Sequence, residues 1–455
     1  MCLSKNPVSC GRLIRATMLV AFASVIVSQF AFRAGAGGEQ GSGAPLVVER
    51  GRFRIYKLQY PVGAESYEIT RDGSGALAVE SKFEISYLGD KVPLTATLRT
   101  RADLAPESFV IKGRTSTRSE IDTTIEMKPD TATIREGAQT RNVKLAERSF
   151  PTGGLLPVSM QMMLFRYQSR HSAINGLKTL PDGRASFEHR GKDRGTVNGK
   201  DVALERYSVS GLMWGRETVW FDAEQRLVAV VSADAELDRL EAVLEGYESN
   251  LPLFVAQAAK DAVTDLEKIS QSIRPLHTGR YAITGGLLIV GTNQPPVQDS
   301  VVLVENERIV AAGPRAEVKI PQGTKLFDAR GKTVLPGLWD MHAHASQSEW
   351  IPASLAAGIT TMRDAGNEPE FILPIRQAIN ERRVTGPRLL LAGIIDSPPN
   401  ALGNNLAETP DEARILVQRY HKAGYEQIKI YQSLKPELVS VITAEAHRLG
   451  MTVTG

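Results

Sequence analysis

Two histidines in the stretch Pro336-Gly337-Leu338-Trp339-Asp340-Met341-His342-Ala343-His344 are the residues best suited to chemistry. On a strand, side chains two positions apart point to one face. His342 and His344 would therefore project together, as two neutral imidazoles must if they are to hold one cation. Asp340 shares their parity, whereas Met341 and Ala343 would face a helix layer. The bland alternative is an incidental pair near a strand end. The chain has only seven histidines, so coincidence is a poor explanation of this spacing in this setting. The other histidines suit quieter roles. His421 and His447 fall within helical patterns, and His171 and His189 stand alone in β-patterned sequence.

The elements that must position the pair follow a βα alternation from Val334 onward. A strand over Thr333–His344 precedes a short helix near Glu349–Ala357, which Gly358 ends. A strand over Ile359–Arg363, a helix near Leu373–Arg383 and a strand over Arg388–Ile394 come next. Thr409-Pro410-Asp411-Glu412 reads as a capping box with Pro at the first helical position. Its helix would bury Ala413, Leu416, Val417 and Tyr420 and stop at Gly424. A strand over Gln427–Tyr431, a helix opened by Pro436 and a strand over Met451–Gly455 complete the series. Such alternation means a parallel sheet with helices packed outside it.

Upstream the texture differs. Phe83, Ile85 and Tyr87 alternate with polar neighbours, as do Leu94, Ala96 and Leu98. The runs at Thr218–Phe221 and Arg226–Val231 are joined by the turn Asp222-Ala223-Glu224-Gln225. Period-two patterning with close turn signals predicts an antiparallel, half-solvated sheet without a catalytic cluster. Pro252–Ile273 is helical in pattern and reads as a connector. Further short strands follow it, with Glu305-Asn306-Glu307 as a hairpin turn.

Composition bounds the rest. The chain has 455 residues, 42% hydrophobic and 23% charged, with a formal charge of +3. That is ordinary globular material of more than one domain, with no basic stripe for nucleic acid. Lys5, Arg12 and Arg15 precede the apolar run Ala16–Ala31, and Ala34-Gly35-Ala36 has the small-x-small form of a cleavage signal. A cleaved signal peptide over 1–36 is expected, with a periplasmic or secreted product and no stable membrane span after cleavage. An uncleaved anchor is the alternative. Both cysteines, Cys2 and Cys10, lie before that run, which leaves the mature chain without disulfides, a thiolate-bound metal or a cysteine nucleophile.

The segment around His342 and His344 resembles the first strand of the amidohydrolase superfamily, in its imidazolonepropionase-like and metal-dependent prolidase-like branch. The likeness continues through Gly358–Asp364, Gly386-Pro387-Arg388, Ile428–Tyr431 and Glu445–Gly455. It implies an incomplete (β/α)8 TIM-like barrel of the metal-dependent hydrolase type. It also gives meaning to Lys429, which shares the interior parity of Gln427 and Tyr431 while Ile428 and Ile430 face the helices. A buried lysine is costly unless paired or chemically altered. In similar enzymes the lysine at this place is carbamylated and its carbamate bridges a pair of metal ions. Carried over, the metal ligands are His342, His344 and Lys429, holding one or two zinc ions with Lys429 N-carboxylated; an unmodified lysine paired with a carboxylate is the alternative. Asp364 suits either support of the site or an ordinary ion pair.

A full barrel needs about 250 residues and eight strands, and five fit before Gly455. The resemblance implies further histidines and the catalytic general base beyond residue 455, so no catalytic residue is assigned and the chain reads as truncated and inactive as it stands. The layout expected is a signal peptide over 1–36, an antiparallel β accessory domain over 45–250, a helical linker over 251–275, a small flanking β domain over 278–335 and the truncated barrel over 336–455. The expected function is hydrolysis of an amide, lactam or dipeptide, such as an Xaa-Pro or Xaa-basic dipeptide, by metal-activated water. The partner is then a small-molecule or peptide substrate. The alternative function is an exported, non-catalytic binding protein whose β domain engages a lipid, glycan or protein.

Overall fold

The alternation of apolar and polar residues between Leu46 and Leu244 folds as one sheet of fifteen strands. The computed structural model describes residues 44–87, 89–154, 157–171, 176–234 and 238–455. The expected signal peptide over 1–36 lies outside the described residues. Successive strands pair as antiparallel hairpins, and the last strand, Arg239–Leu244, returns to pair with the first, Leu46–Lys57, in the register Phe53↔Leu244 to Lys57↔Leu240. Ser149–Pro151 is the exception, lying parallel to Leu177–Leu180 at one edge.

The region predicted to be β throughout also contains a helix, Val158–His171. Its first turns are enclosed: Met160, Met162, Met163, Leu164 and Phe165 are all buried, while Ser169 and Arg170 at its C-terminal end are exposed. The sheet curls around it. Phe165 stacks on Phe221 at 3.7 Å between ring centroids and meets Phe187 and Tyr207 edge-on. The helix N-terminus rests on a fully buried carboxylate, Glu65, which accepts hydrogen bonds from the backbone N–H of Val158 at 2.7 Å and of Ser159 at 2.9 Å. Negative charge is favoured there by the helix dipole.

The predicted connector is the 22-residue helix Leu251–Ser272. Its buried face (Phe254, Val255, Ala258, Ala259 and Leu266) packs against both the strand Leu227–Ala233 and the later helix Pro369–Asn380. It is therefore a wedge between two layers. Polar anchors reinforce it, with Arg190 2.6 Å from Asp265 and Arg206 3.1 Å from Asp261. Beyond it, four short strands between Tyr281 and Asp328 form a small sheet. The turn at Asn306 and Glu307 has two successive residues at positive φ, 50° and 63°, as a tight two-residue hairpin requires.

Five parallel strands follow in chain order: Leu338–Ala343, Ile359–Asp364, Arg388–Ile395, Gln427–Ile430 and Thr452–Thr454. Helices Trp350–Ala356, Pro369–Asn380, Pro410–Lys422 and Pro436–Arg448 alternate with them. The single strand predicted over Thr333–His344 is two. Thr333–Val334 pairs with Leu287–Leu288 in another sheet, and Pro336-Gly337 breaks the run because Pro donates no ladder hydrogen bond. Met341, expected against a helix layer, is 46% exposed. Leu338–Ala343 is an edge strand, and the helix after it packs on Ile359–Asp364 instead.

The large sheet and the parallel sheet belong to one compact unit, Gly43–Gly455. Arg239, only 3% exposed, crosses between them: its guanidinium lies 3.6 Å from the Phe371 ring centroid and donates to Ser346 O at 3.3 Å. Tyr60 Oη donates to Pro399 O at 3.0 Å, and Gln347 Oε1 accepts from Arg216 N at 2.9 Å. Among the described residues no helix is long and apolar enough to cross a membrane.

Candidate metal centre

His342 and His344 come together with Lys429 in one cavity of about 480 Å³. The two imidazoles lie 5.5 Å apart between ring centroids, inclined at 42°. The Lys429 amine is 3.4 Å from His342 Nε2. Parity places the lysine here: Ile428 is fully buried on the helix side, while Lys429 turns the other way and Tyr431 joins it as a wall of the cavity. Between Asp340 and Ala343 the strand's register slips against its neighbour, an irregularity of the kind that re-aims side chains beside functional sites.

Asp364 supports this geometry from the next strand. Its buried carboxylate accepts from Ala345 N at 2.8 Å, Asn367 Nδ2 at 2.7 Å and Gly366 N at 3.1 Å. It thereby holds the backbone immediately after His344. Asp340, by contrast, turns its carboxylate back onto His342 N at 3.1 Å and does not line the cavity. His421 and His447 lie on helices, at Pro410–Lys422 and Pro436–Arg448, away from the cavity lining. His171 meets Asp103 O at 2.9 Å and His189 meets Glu205 at 2.8 Å.

Burial sets the electrostatics. It lowers the pKa of the Lys429 amine below the usual lysine range, against a smaller upward pull from Asp238 and Asp364. It also lowers that of His342, assisted by the charges of Lys429 and His344. Both shifts favour the neutral form, the state in which nitrogen donates a lone pair.

One lining residue carried no motif: Asp238, from the turn before the strand Arg239–Leu244 of the large sheet. Its Oδ1 is 3.4 Å from His344 Nδ1, and its Oδ2 is 3.1 Å from the buried Lys57 amine. Because it is remote in sequence from the histidines, no local spacing could reveal it. Asp238 Oδ1 and His344 Nδ1 are both buried, and neither has a hydrogen-bond partner among the described residues. Two imidazoles and an orphaned carboxylate oxygen are donors of the type a divalent cation takes. Among the described residues, however, no three His, Cys, Asp or Glu side chains close into a metal cage. Lys429 can add a ligand only if its amine becomes an anionic oxygen donor.

No protein-family model matches the chain. A 5-methylthioadenosine/S-adenosylhomocysteine deaminase of Symbiobacterium thermophilum is 41% identical over 70 residues, 15% of this chain and 16% of that protein. An enamidase of Eubacterium barkeri is 34% identical over 96 residues, 19% of this chain and 25% of the relative. A solved Xaa-Pro dipeptidase matches over 38% of this chain and 56% of its own at 22% identity, with a TM-score of 0.34; a likeness so slight adds nothing to the argument. The chain spans a quarter or less of the length of the curated relatives it matches. Over these segments the chain is similar to deaminases and an enamidase. The resemblance is to enzymes, hydrolases that act on C–N bonds.

Proposed function

We propose that this protein is a metal-dependent hydrolase of amide, lactam or dipeptide C–N bonds, its parallel sheet being part of a (β/α)8 barrel. The observation that carries the reading is the convergence of His342, His344 and Lys429, with the lysine amine 3.4 Å from His342 Nε2. Lys429 is 9% exposed, and no carboxylate lies within ion-pair distance of it among the described residues, which disfavours the simple Lys–carboxylate pairing. Burial lowers the pKa of this amine, and in its neutral form it is suited to attack carbon dioxide. The Nζ–C bond forms, one proton leaves the nitrogen, and the resulting carbamate carries one negative charge. His342 and His344 would hold the cation through neutral imidazole nitrogens, and the Lys429 carbamate would supply an oxygen ligand. A zinc ion held there would supply Lewis-acid chemistry, lowering the pKa of water toward about 7 and polarising a substrate carbonyl. The polar groups that ring the cavity would orient the substrate against its apolar wall, formed by Leu402 and Tyr431. The general base belongs to the part of the reading carried by family resemblance, and none of the residues here is assigned to it.

The non-catalytic alternative, a lipid or glycan carrier, draws less support. The inside of the curled sheet is occupied by the helix Val158–His171, whose side chains are already packed there.

Zinc content measured by elemental analysis on the purified protein, prepared with bicarbonate, tests the proposal. Retained zinc that disappears in the His342→Ala/His344→Ala variant is expected. Zinc retained by that variant overturns the metal centre. With 13C-labelled bicarbonate, a carbamate carbon resonance is expected that Lys429→Ala abolishes; a spectrum identical in the two proteins removes the carbamate from the mechanism.

A further inference from the structure

Building on the metal-centre reading, we propose that Asp238, carried by the antiparallel sheet, is the positioning residue for His344, so that the accessory layer is a working part of the site. The turn that bears it is braced. Asp238 N donates to Asp234 Oδ1 at 3.1 Å, and Asp234 N donates back to Asp238 O at 2.8 Å. The Lys57 amine, 1% exposed, sits 2.7 Å from Asp234 Oδ2 and 3.1 Å from Asp238 Oδ2. One oxygen of Asp238 is thus anchored on a lysine that it shares with Asp234.

The other oxygen is held at the cavity, 3.4 Å from His344 Nδ1. A carboxylate beside a lysine can only accept, so the proton of a neutral His344 belongs on Nδ1. Nε2 is then left with its lone pair, the arrangement by which a carboxylate fixes the tautomer and orientation of a metal-binding imidazole. Asp364 holds the backbone after His344 through Ala345 N at 2.8 Å. The residue is gripped twice: its chain from within the parallel sheet, its ring from the antiparallel one. A purely structural acid would gain by turning both oxygens onto the Lys57 amine. Here Oδ1 is buried, makes no hydrogen bond among the described residues and faces the ring nitrogen at 3.4 Å.

The test has two readouts, one independent of metal. In the metal-free protein, proton–nitrogen correlation spectra of the histidine rings, assigned with His344→Gln, are expected to show His344 protonated at Nδ1. In Asp238→Ala this tautomer is expected to give way to the Nε2–H form, with Asp238→Asn intermediate because its amide oxygen still accepts, though without charge. Zinc affinity, read by competition with a chromophoric chelator, is expected to fall roughly 10- to 100-fold in Asp238→Ala, the usual effect of losing a ligand's outer partner, and less in Asp238→Asn. If both variants keep the His344 tautomer and the zinc affinity of the unaltered protein, the role of Asp238 is refuted while the metal centre stands. If His342→Ala/His344→Ala keeps its zinc, the metal centre falls, and the tautomer alone decides whether Asp238 positions the ring. Should Asp238→Ala not fold, the same two measurements on Asp238→Asn decide the question.

Discussion

Replacing Glu241 and Glu368 by glutamine, one at a time, should give opposite results although the chemistry of the change is the same. Both carboxylates lie at the seam between the antiparallel and parallel sheets, with relative exposures of 0% and 2%, beside Arg239 at 3%. Arg239 Nε is 3.7 Å from Glu368 Oε2, and Glu241 Oε2 accepts from Gln59 N at 3.0 Å. Glu370 lies near enough to add its repulsion to Glu368. Two acids and one base cannot all be charged in so dry a place. Burial and the neighbouring Glu368 charge push Glu241 well above the ordinary carboxylate value, which favours its protonated form, while burial raises Glu368 against the pull of Arg239. Glu241→Gln preserves shape, donor and neutrality, and its effect at neutral pH should stay within about 1 kcal/mol. Glu368→Gln leaves the Arg239 guanidinium buried and unpaired, a loss of about 3–5 kcal/mol.

The sign of the pH dependence follows from the same cluster. A carboxyl whose folded pKa is raised stabilises the fold fully below its unfolded value near 4.5, and that contribution is lost as pH rises through the elevated one, at about 1.4 kcal/mol per pH unit. The unaltered protein should lose stability as pH rises from about 4.5 toward the raised value, and Glu241→Gln should flatten that slope. Urea titrations followed by tryptophan fluorescence at successive pH values measure both effects. The reasoning is refuted if the two variants are destabilised equally, or if Glu241→Gln loses stability with pH in parallel with the unaltered protein.

Three further outcomes are expected. Phe165→Ala, which empties the stack on Phe221 inside the curled sheet, should cost about 3–5 kcal/mol in urea unfolding; a loss below about 1 kcal/mol would mean the enclosed helix is not part of the core. Thr409→Ala removes the side chain that accepts from Glu412 N at 3.3 Å in a complete capping box, and should cost about 1 kcal/mol by the same assay. Finally, N-terminal sequencing of protein recovered from an exported fraction should find cleavage near Ala36; an intact Lys5-to-Arg15 segment there would refute signal processing.

Much of the local structure was legible in the residues. The helix at Pro410–Lys422 was marked by its capping box and Pro, and its buried face by Ala413, Leu416, Val417 and Tyr420. The shared side of His342 and His344 and the inward turn of Lys429 were suggested by strand parity, because the two-residue period is built into the backbone, although the register slip between Asp340 and Ala343 was not foreseen. The helix Val158–His171 was hidden for a physical reason. Met160 to Phe165 are buried whichever side of the helix they lie on, so that stretch carries little of the periodic contrast by which a helix inside a β region betrays itself.

Sequence by itself determined which segments are strands and helices of the parallel sheet, which side chains point to its interior, and the superfamily its motif resembles, since all of these depend on neighbours in the chain. Tertiary structure alone decided that the antiparallel sheet leans over the cavity, that Asp238 meets His344 across it at 3.4 Å, and that Glu241 shares a buried seam with Glu368. Those contacts join residues more than a hundred positions apart. Their partners are chosen by how the two sheets pack, and packing is a property of the assembled surfaces that no local spacing encodes.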